Sequence, residues 1–183
     1  MKNIAKKLVV YSMVGMLQIG LGASMVSASP AYGFERVQFC EKHQNRDMSP
    51  LYRYFNNSTG DHFYTTDFEE LGNGNNGYTY EGIQGYIFQR QHLGTVPLYR
   101  YWNNNSRDHF YTTNFDELGH GRDGYVFERI QGYVYDRRRE NTIPLRRYFN
   151  GGNGHHFYTT NFHELGRGND GYRYEGIQCY VLK

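Results

Sequence analysis

Long apolar runs are missing from this chain beyond Ala28, so no later segment can cross a membrane as a helix. Charge of one sign is lacking too. The formal charge is +2, and loss of the first 28 residues, with their three lysines and no acid, brings it to about −1. A near-neutral chain has no broad electrostatic footprint for nucleic acid or anionic lipid. Only four prolines occur, and alanine and leucine are scarce after Ala28, against 19 tyrosines, 12 phenylalanines and 22 glycines. That balance disfavours helices and favours strands joined by turns. No serine stands in a nucleophile motif. Metal-ligand spacing is weak as well, because each unit described below offers one or two histidines, and the adjacent pair His155-His156 would point to opposite strand faces. No cofactor, metal or catalytic centre is expected.

The first 28 residues join Lys2, Lys6 and Lys7 to a short apolar run from Leu8 to about Gly22 and a small-residue end, Val26-Ser27-Ala28. This is the pattern of a secretory signal peptide, and the mature protein is expected to be extracellular. The remaining 155 residues suit one domain with one core. In a secreted chain the two cysteines, Cys40 and Cys179, are expected to form a disulfide. Such a bridge would close most of the mature chain into one loop and remove a thiol nucleophile.

What the chain does contain is a repeat. Asp61-His62-Phe63-Tyr64-Thr65-Thr66 returns as Asp108 to Thr113, and again as His155 to Thr160 with its first residue changed. Each copy follows a proline, Pro50, Pro97 or Pro144, and the spacing is 47 residues both times. A period held that strictly means three copies of one structural unit. The expected layout is a lead-in strand over 29–49 and then units at 50–96, 97–143 and 144–183. The lead-in carries Phe34-Glu35-Arg36-Val37-Gln38, which matches Phe127-Glu128-Arg129-Ile130-Gln131 in the second unit. The chain thus opens on a closing piece, as a ring whose ends meet would require.

Within each unit a Pro-Leu-x-Arg-Tyr segment predicts a strand starting at the proline. A turn rich in Asn and Gly follows, and His-Phe-Tyr-Thr-Thr predicts a second strand. Asp67-Phe68-Glu69-Glu70-Leu71 and its copies resemble a capping box on one helical turn, closed by Gly72, Gly119 or Gly166. The Gly-x-Gly-x-x-Gly that follows has no helix after it, so it reads as a long tight turn rather than a phosphate cradle. Tyr78 to Phe88 predicts two short strands bent at Gly82, or one strand bulged there. One unit cannot bury its own apolar face. Three units of 40–47 residues with about four strands each predict an all-β fold, a β-trefoil with its ends closed by the disulfide.

Each unit ends in Gln-x-Tyr: Gln84-Gly85-Tyr86, Gln131-Gly132-Tyr133 and Gln178-Cys179-Tyr180. This resembles the Gln-x-Trp ending of each subdomain in ricin-type trefoil lectins, with tyrosine in place of tryptophan. Residues 50–183 also resemble a family of secreted repeat proteins marked by Asp-His-Phe-Tyr-Thr-Thr and Tyr-x-Glu-Gly-Ile. Those repeats occur alone or attached to extracellular hydrolases, and their function is mostly unassigned. The resemblance implies a secreted, carbohydrate-associated module.

The repeated histidines His62, His109 and His156 allow two readings. In one they hydrogen-bond turn backbone and hold a unit together. In the other they contact a ligand together with Asp61 and Asp108, the turn residues Asn56, Asn103 and Asn150, and Tyr64, Tyr111 and Tyr158. Sugars need such chemistry, since carboxylates and amides match paired hydroxyls and an aromatic face covers the C–H patch of the ring. Glu81, Glu128 and Glu175, with Gln84, Gln131 and Gln178, read as groups that satisfy backbone donors. A threefold-repeated acid pair does not suit a glycosidase, which needs two carboxylates with distinct roles. The expected function is multivalent carbohydrate binding without catalysis, directed at glycans on a cell surface or matrix. The alternative is a protein-binding or inhibitory module acting through a non-repeated loop, for which Arg137-Arg138-Arg139-Glu140 is the candidate.

Overall fold

The computed structural model describes residues 47–183. The expected signal peptide, most of the lead-in and Cys40 lie outside the described residues. The described chain is all-β. Unit one holds β1 (Met48–Asn56), β2 (His62–Thr65) and β3 (Tyr78–Phe88). Unit two holds β4 (Thr95–Asn103), β5 (Asp108–Thr112) and β6 (Tyr125–Tyr135), and unit three β7 (Thr142–Asn150), β8 (His155–Thr159) and β9 (Tyr172–Leu182). Each unit thus has three strands where about four were expected, because its last eleven residues run as one irregular strand.

The first strand of each unit starts two residues before its proline rather than at it, so that Pro50 pairs with Tyr86, Pro97 with Tyr133 and Pro144 with Tyr180. This strand is the middle one of its unit. It forms a hairpin with the short second strand and pairs along its whole length with the third. All pairings are antiparallel, and the long strands β3, β6 and β9 each also pair with the other two at single residues. Two register shifts interrupt the main pairing, one of them between Arg53 and Tyr54 and at the equivalent places in the other units. Strict alternation would turn Arg53 and Tyr54 to opposite faces. The extra residue lies in the third strand, Glu81 or Glu128 at this step, so the first strand keeps its alternation: Arg53 meets the neighbouring unit, Tyr54 packs with Phe63 and Leu71 of its own, and both, like Arg100 and Tyr101, are buried.

The connection after the second strand is a single 3-10 turn at Phe68–Glu70 and Phe115–Glu117. It is capped by half of the expected box. Asp67, Asn114 and Asn161 accept from the backbone N–H two residues on, at 3.0, 3.1 and 3.0 Å. The glutamate does not reach back, since the Asp67 N–H is taken by the Thr65 hydroxyl. The glycine turn that follows demands its middle glycine. A Cβ at Gly74, Gly121 or Gly168 would stand 2.7, 2.7 or 2.6 Å from a backbone carbonyl oxygen, and all three have positive φ.

The shared core lies where the units meet. It comprises Leu51, Leu98 and Leu145, Ile87, Val134 and Val181, the three tyrosines Tyr64, Tyr111 and Tyr158, and Cys179. Cys179 is buried there and has no bonded partner among the described residues. The tyrosines form a cycle. The Tyr64 hydroxyl donates to the Tyr158 carbonyl at 2.6 Å and accepts from the Tyr158 N–H at 2.8 Å. Tyr111 treats the backbone of Tyr64 in the same way, and Tyr158 that of Tyr111. The rings meet edge to face at 5.3–5.5 Å, a geometry that adds to their burial.

Candidate ligand pockets at the unit seams

Three equivalent pockets open where one unit meets the next, with volumes of about 270, 280 and 220 Å³ at the first, second and third seams. These lie just under the ~300–1,000 Å³ of drug-sized sites, which leaves room for one small polar ring. At the first seam, unit one supplies Phe63, Glu70 and Tyr78, and unit two supplies Arg100, His109 and Glu128. At the second seam the same places hold Phe110, Glu117, Tyr125, Arg147, His156 and Glu175. At the third, Phe157, Glu164 and Tyr172 face Arg53, His62 and Glu81, and Asp170 joins the wall.

An arginine clamp organises every seam. Arg100 Nε donates to Glu128 at 2.9 Å, while its Nη1 reaches Gln131 Oε1 at 3.1 Å and Glu70 across the seam at 3.3 Å. Arg147 repeats this with Glu175, Gln178 and Glu117. Arg53 holds both oxygens of Glu164 at 3.0 and 3.1 Å, and its Nε lies 2.8 Å from Glu81 in an ion pair without an aligned hydrogen bond. Each guanidinium also stacks over the neighbouring unit's Phe63, Phe110 or Phe157 at 4.9–5.0 Å, a cation–π contact. Burial alone would raise the Glu164 carboxyl; hydrogen bonds from Arg53 and Thr159 and the Arg53 charge hold it below its usual range. Glu70 and Glu117 are lowered by the same balance.

Behind the first two pockets lies a buried carboxylate. Asp61 accepts from the Tyr78 hydroxyl at 2.6 Å and from the His109 backbone N–H at 2.9 Å, and His109 Nδ1 sits 2.6 Å away. Burial pushes the Asp61 carboxyl up, but the bond and charge of His109 outweigh it and the net shift is downward. Asp108 holds Tyr125 and His156 in the same arrangement at the second seam. At the third seam His155 stands in the aspartate's place. Its Nε2 turns to the Ser106 carbonyl at 2.9 Å. The Nδ1 atoms of His155 and His62 are buried without a partner among the described residues. The His62 imidazole is pushed down to about 3, by burial first and by the Arg53 charge second.

Of the residues expected to touch a ligand, His62, His109 and His156 are the ones that line these three pockets. Asp61 and Asp108 are fully buried between units. Tyr64, Tyr111 and Tyr158 form the central cycle. Asn56, Asn103 and Asn150 staple their turns, accepting from N–H groups two or three residues on and donating to a carbonyl twenty residues on. The histidine pairs with the aspartate of the preceding unit, 48 residues away, not with the one beside it. Glu81, Glu128 and Glu175 bind arginine rather than backbone. Gln131 and Gln178 bridge an arginine to the neighbouring unit's Thr66 and Thr113, and Gln84 alone accepts from backbone, the Thr160 N–H. The arginines, the cross-seam glutamates and the pocket aromatics were missed by sequence reasoning. Their signal is their recurrence at the 47-residue spacing in all three units.

These features define an all-β protein of three like units with a repeated pocket between them. The chain belongs to the family described as Domain of unknown function (DUF5648), which matches residues 23–121 and 116–182. No curated protein and no solved structure gave a match.

Proposed function

We propose that this is a secreted, multivalent carbohydrate-binding protein with one weak site at each seam, acting by binding and not by catalysis. The observation that carries the reading is the pocket itself, present three times with the same histidine, glutamates and aromatic wall. Carboxylates with outward lone pairs suit vicinal hydroxyls, and a tyrosine edge suits the less polar face of a sugar ring. Weak sites on one rigid body gain avidity on a surface of repeated glycans. Both glutamates of each pocket are held by arginine, which disfavours the raised acid a glycosidase needs. The ligand contacts in this reading are the pocket residues, with the aspartates and central tyrosines behind them as support.

The finer architecture belongs to the same reading. The three units close in a trefoil-like ring in which each bulged eleven-residue strand replaces two shorter ones, and Cys40 and Cys179 bridge its ends. The pairing of β3, β6 and β9 with one another supports the ring. Ellman titration of the denatured, unreduced protein is expected to find no free thiol; two would remove the bridge. The function is tested with a glycan array on the mature, oxidised protein, beside a His62/His109/His156→Ala variant whose fold is checked by circular dichroism. Selective binding that the folded variant loses is the expected result. A folded wild type that binds no glycan would end the proposal.

A further inference from the structure

The three pockets differ in charge. At the first seam a second guanidinium, Arg129, lies 3.6 Å from Glu70. At the second, Arg173 donates to the otherwise open oxygen of Glu175 at 3.3 Å. The acid of the adjoining turn, Asp123, has Arg122 Nε 3.9 Å away. The third seam has none of these cations: Gly82 stands in the place of Arg129, Thr79 in that of Arg173 and Asn169 in that of Arg122. Its single arginine, Arg53, faces three carboxylates, Glu81, Glu164 and Asp170. Asp170 meets only the Asn169 amide, at 3.3 Å.

His62 differs at this seam as well. Its Nδ1, buried behind the pocket, has no aspartate to hold it because His155 stands there, and its Nε2 lies 3.8 Å from Glu81 on the pocket wall. The His62 imidazole carries no proton to offset the carboxylates above pH about 3.

We propose that the third-seam pocket is specialised for a sugar bearing a free, protonated amino group, while the first two take neutral sugars. This rests on the reading of the seams as carbohydrate sites. The ammonium would sit between Asp170 and Glu81, with the Tyr172 ring alongside, and the sugar hydroxyls would reach Glu164 and His62. An N-acetyl group removes the charge, and a uronic acid reverses it.

The test is calorimetric titration of the mature protein with chito-oligosaccharide lacking acetyl groups, with its fully N-acetylated counterpart, with a neutral gluco-oligosaccharide and with n-butylamine. The amino-sugar oligomer is expected to bind one site about tenfold more tightly than either neutral oligomer. That advantage should vanish in Asp170→Asn, whose side chain is exposed and bonded only to Asn169, and should shrink in high salt. The double variant Arg122→Asn/Arg173→Thr is expected to add a second amine-preferring site. Neutral sugars binding with no amine preference, or a preference that survives Asp170→Asn, would overturn this inference and leave the carbohydrate reading standing. Butylamine binding as tightly as the amino sugar would show a simple cation site and overturn the sugar part. Failure of every sugar would remove both.

Discussion

The first two seams and the third are built from the same residues at the same spacing, yet one substitution divides them. Where Asp61 or Asp108 stands, three donors converge on one buried carboxylate: a phenol, an imidazole and a backbone N–H. Where His155 stands, that network is gone. Two imidazole nitrogens are left buried and unpartnered, and Tyr172 turns to Asn153 instead, its hydroxyl pushed up to about 12 by burial first and by nearby acids after it. The arginine clamp survives at all three. The difference separates two jobs that sequence identity merges. The clamp joins units, and the aspartate fixes the histidine.

The largest effect should fall on what the seams share. Arg100→Ala strands Glu128, leaves the Gln131 Oε1 unpaired and leaves Glu70 only Arg129, and Arg53→Ala strands Glu81 and Glu164, so each should cost ~3 kcal/mol in urea unfolding. A much smaller loss at Arg53 would mean the third seam is held by other contacts. The next effect should separate the seams. Asp61→Asn or Asp108→Asn leaves buried donors facing an amide and should cost ~2 kcal/mol each. A cost near zero would show that the buried network is dispensable.

Acid should act through the third seam before it reaches the clamps. Unfolded histidine titrates near 6.5, whereas folded His62 titrates at about 3. Between those values the unfolded chain binds the extra proton, so this contribution is complete above pH 6.5 and is lost as pH falls toward 3. Lowering the pH from 7 to 5 should remove ~2 kcal/mol by this route alone, before the clamp carboxylates, which are held low, begin to protonate. His62→Gln should flatten the curve; an unchanged curve would place the sensitivity elsewhere. The smallest effect is a gain. His155→Asp supplies the missing partner for His62 and Tyr172 and should add ~1 kcal/mol, a rise of a few degrees in Tm. A fall in Tm would mean the surrounding turn is shaped for imidazole.

Much of the unit could be read from the chain. The 47-residue period, the strand character of His-Phe-Tyr-Thr and the obligatory glycine of the long turn follow from local chemistry. The site was harder to see, because its partners come from different units. Asp61 and His62 look like a pair in sequence, but neighbours in a strand point to opposite faces. Each therefore faces its own seam: Asp61 bonds His109, and His62 is directed to the position of His155, where its Nδ1 finds no partner among the described residues. Arg53 and Tyr54 are both buried because one face of their strand meets the neighbouring unit and the other its own, so pattern alone would have placed one of them in solvent. The glutamate of the apparent capping box was legible as a residue but not as a contact, since its arginine lies in the next unit.

The tyrosine cycle bears on how such a chain could have arisen. Each unit lends its phenol to one neighbour's backbone and has its own backbone covered by the other's. A lone ancestral 47-residue segment would therefore have been self-sufficient only as a homotrimer, and gene triplication would have turned that assembly into one polypeptide. Only in a fused chain can one position, aspartate in two units and His155 in the third, differ in a single copy and leave the other two alike.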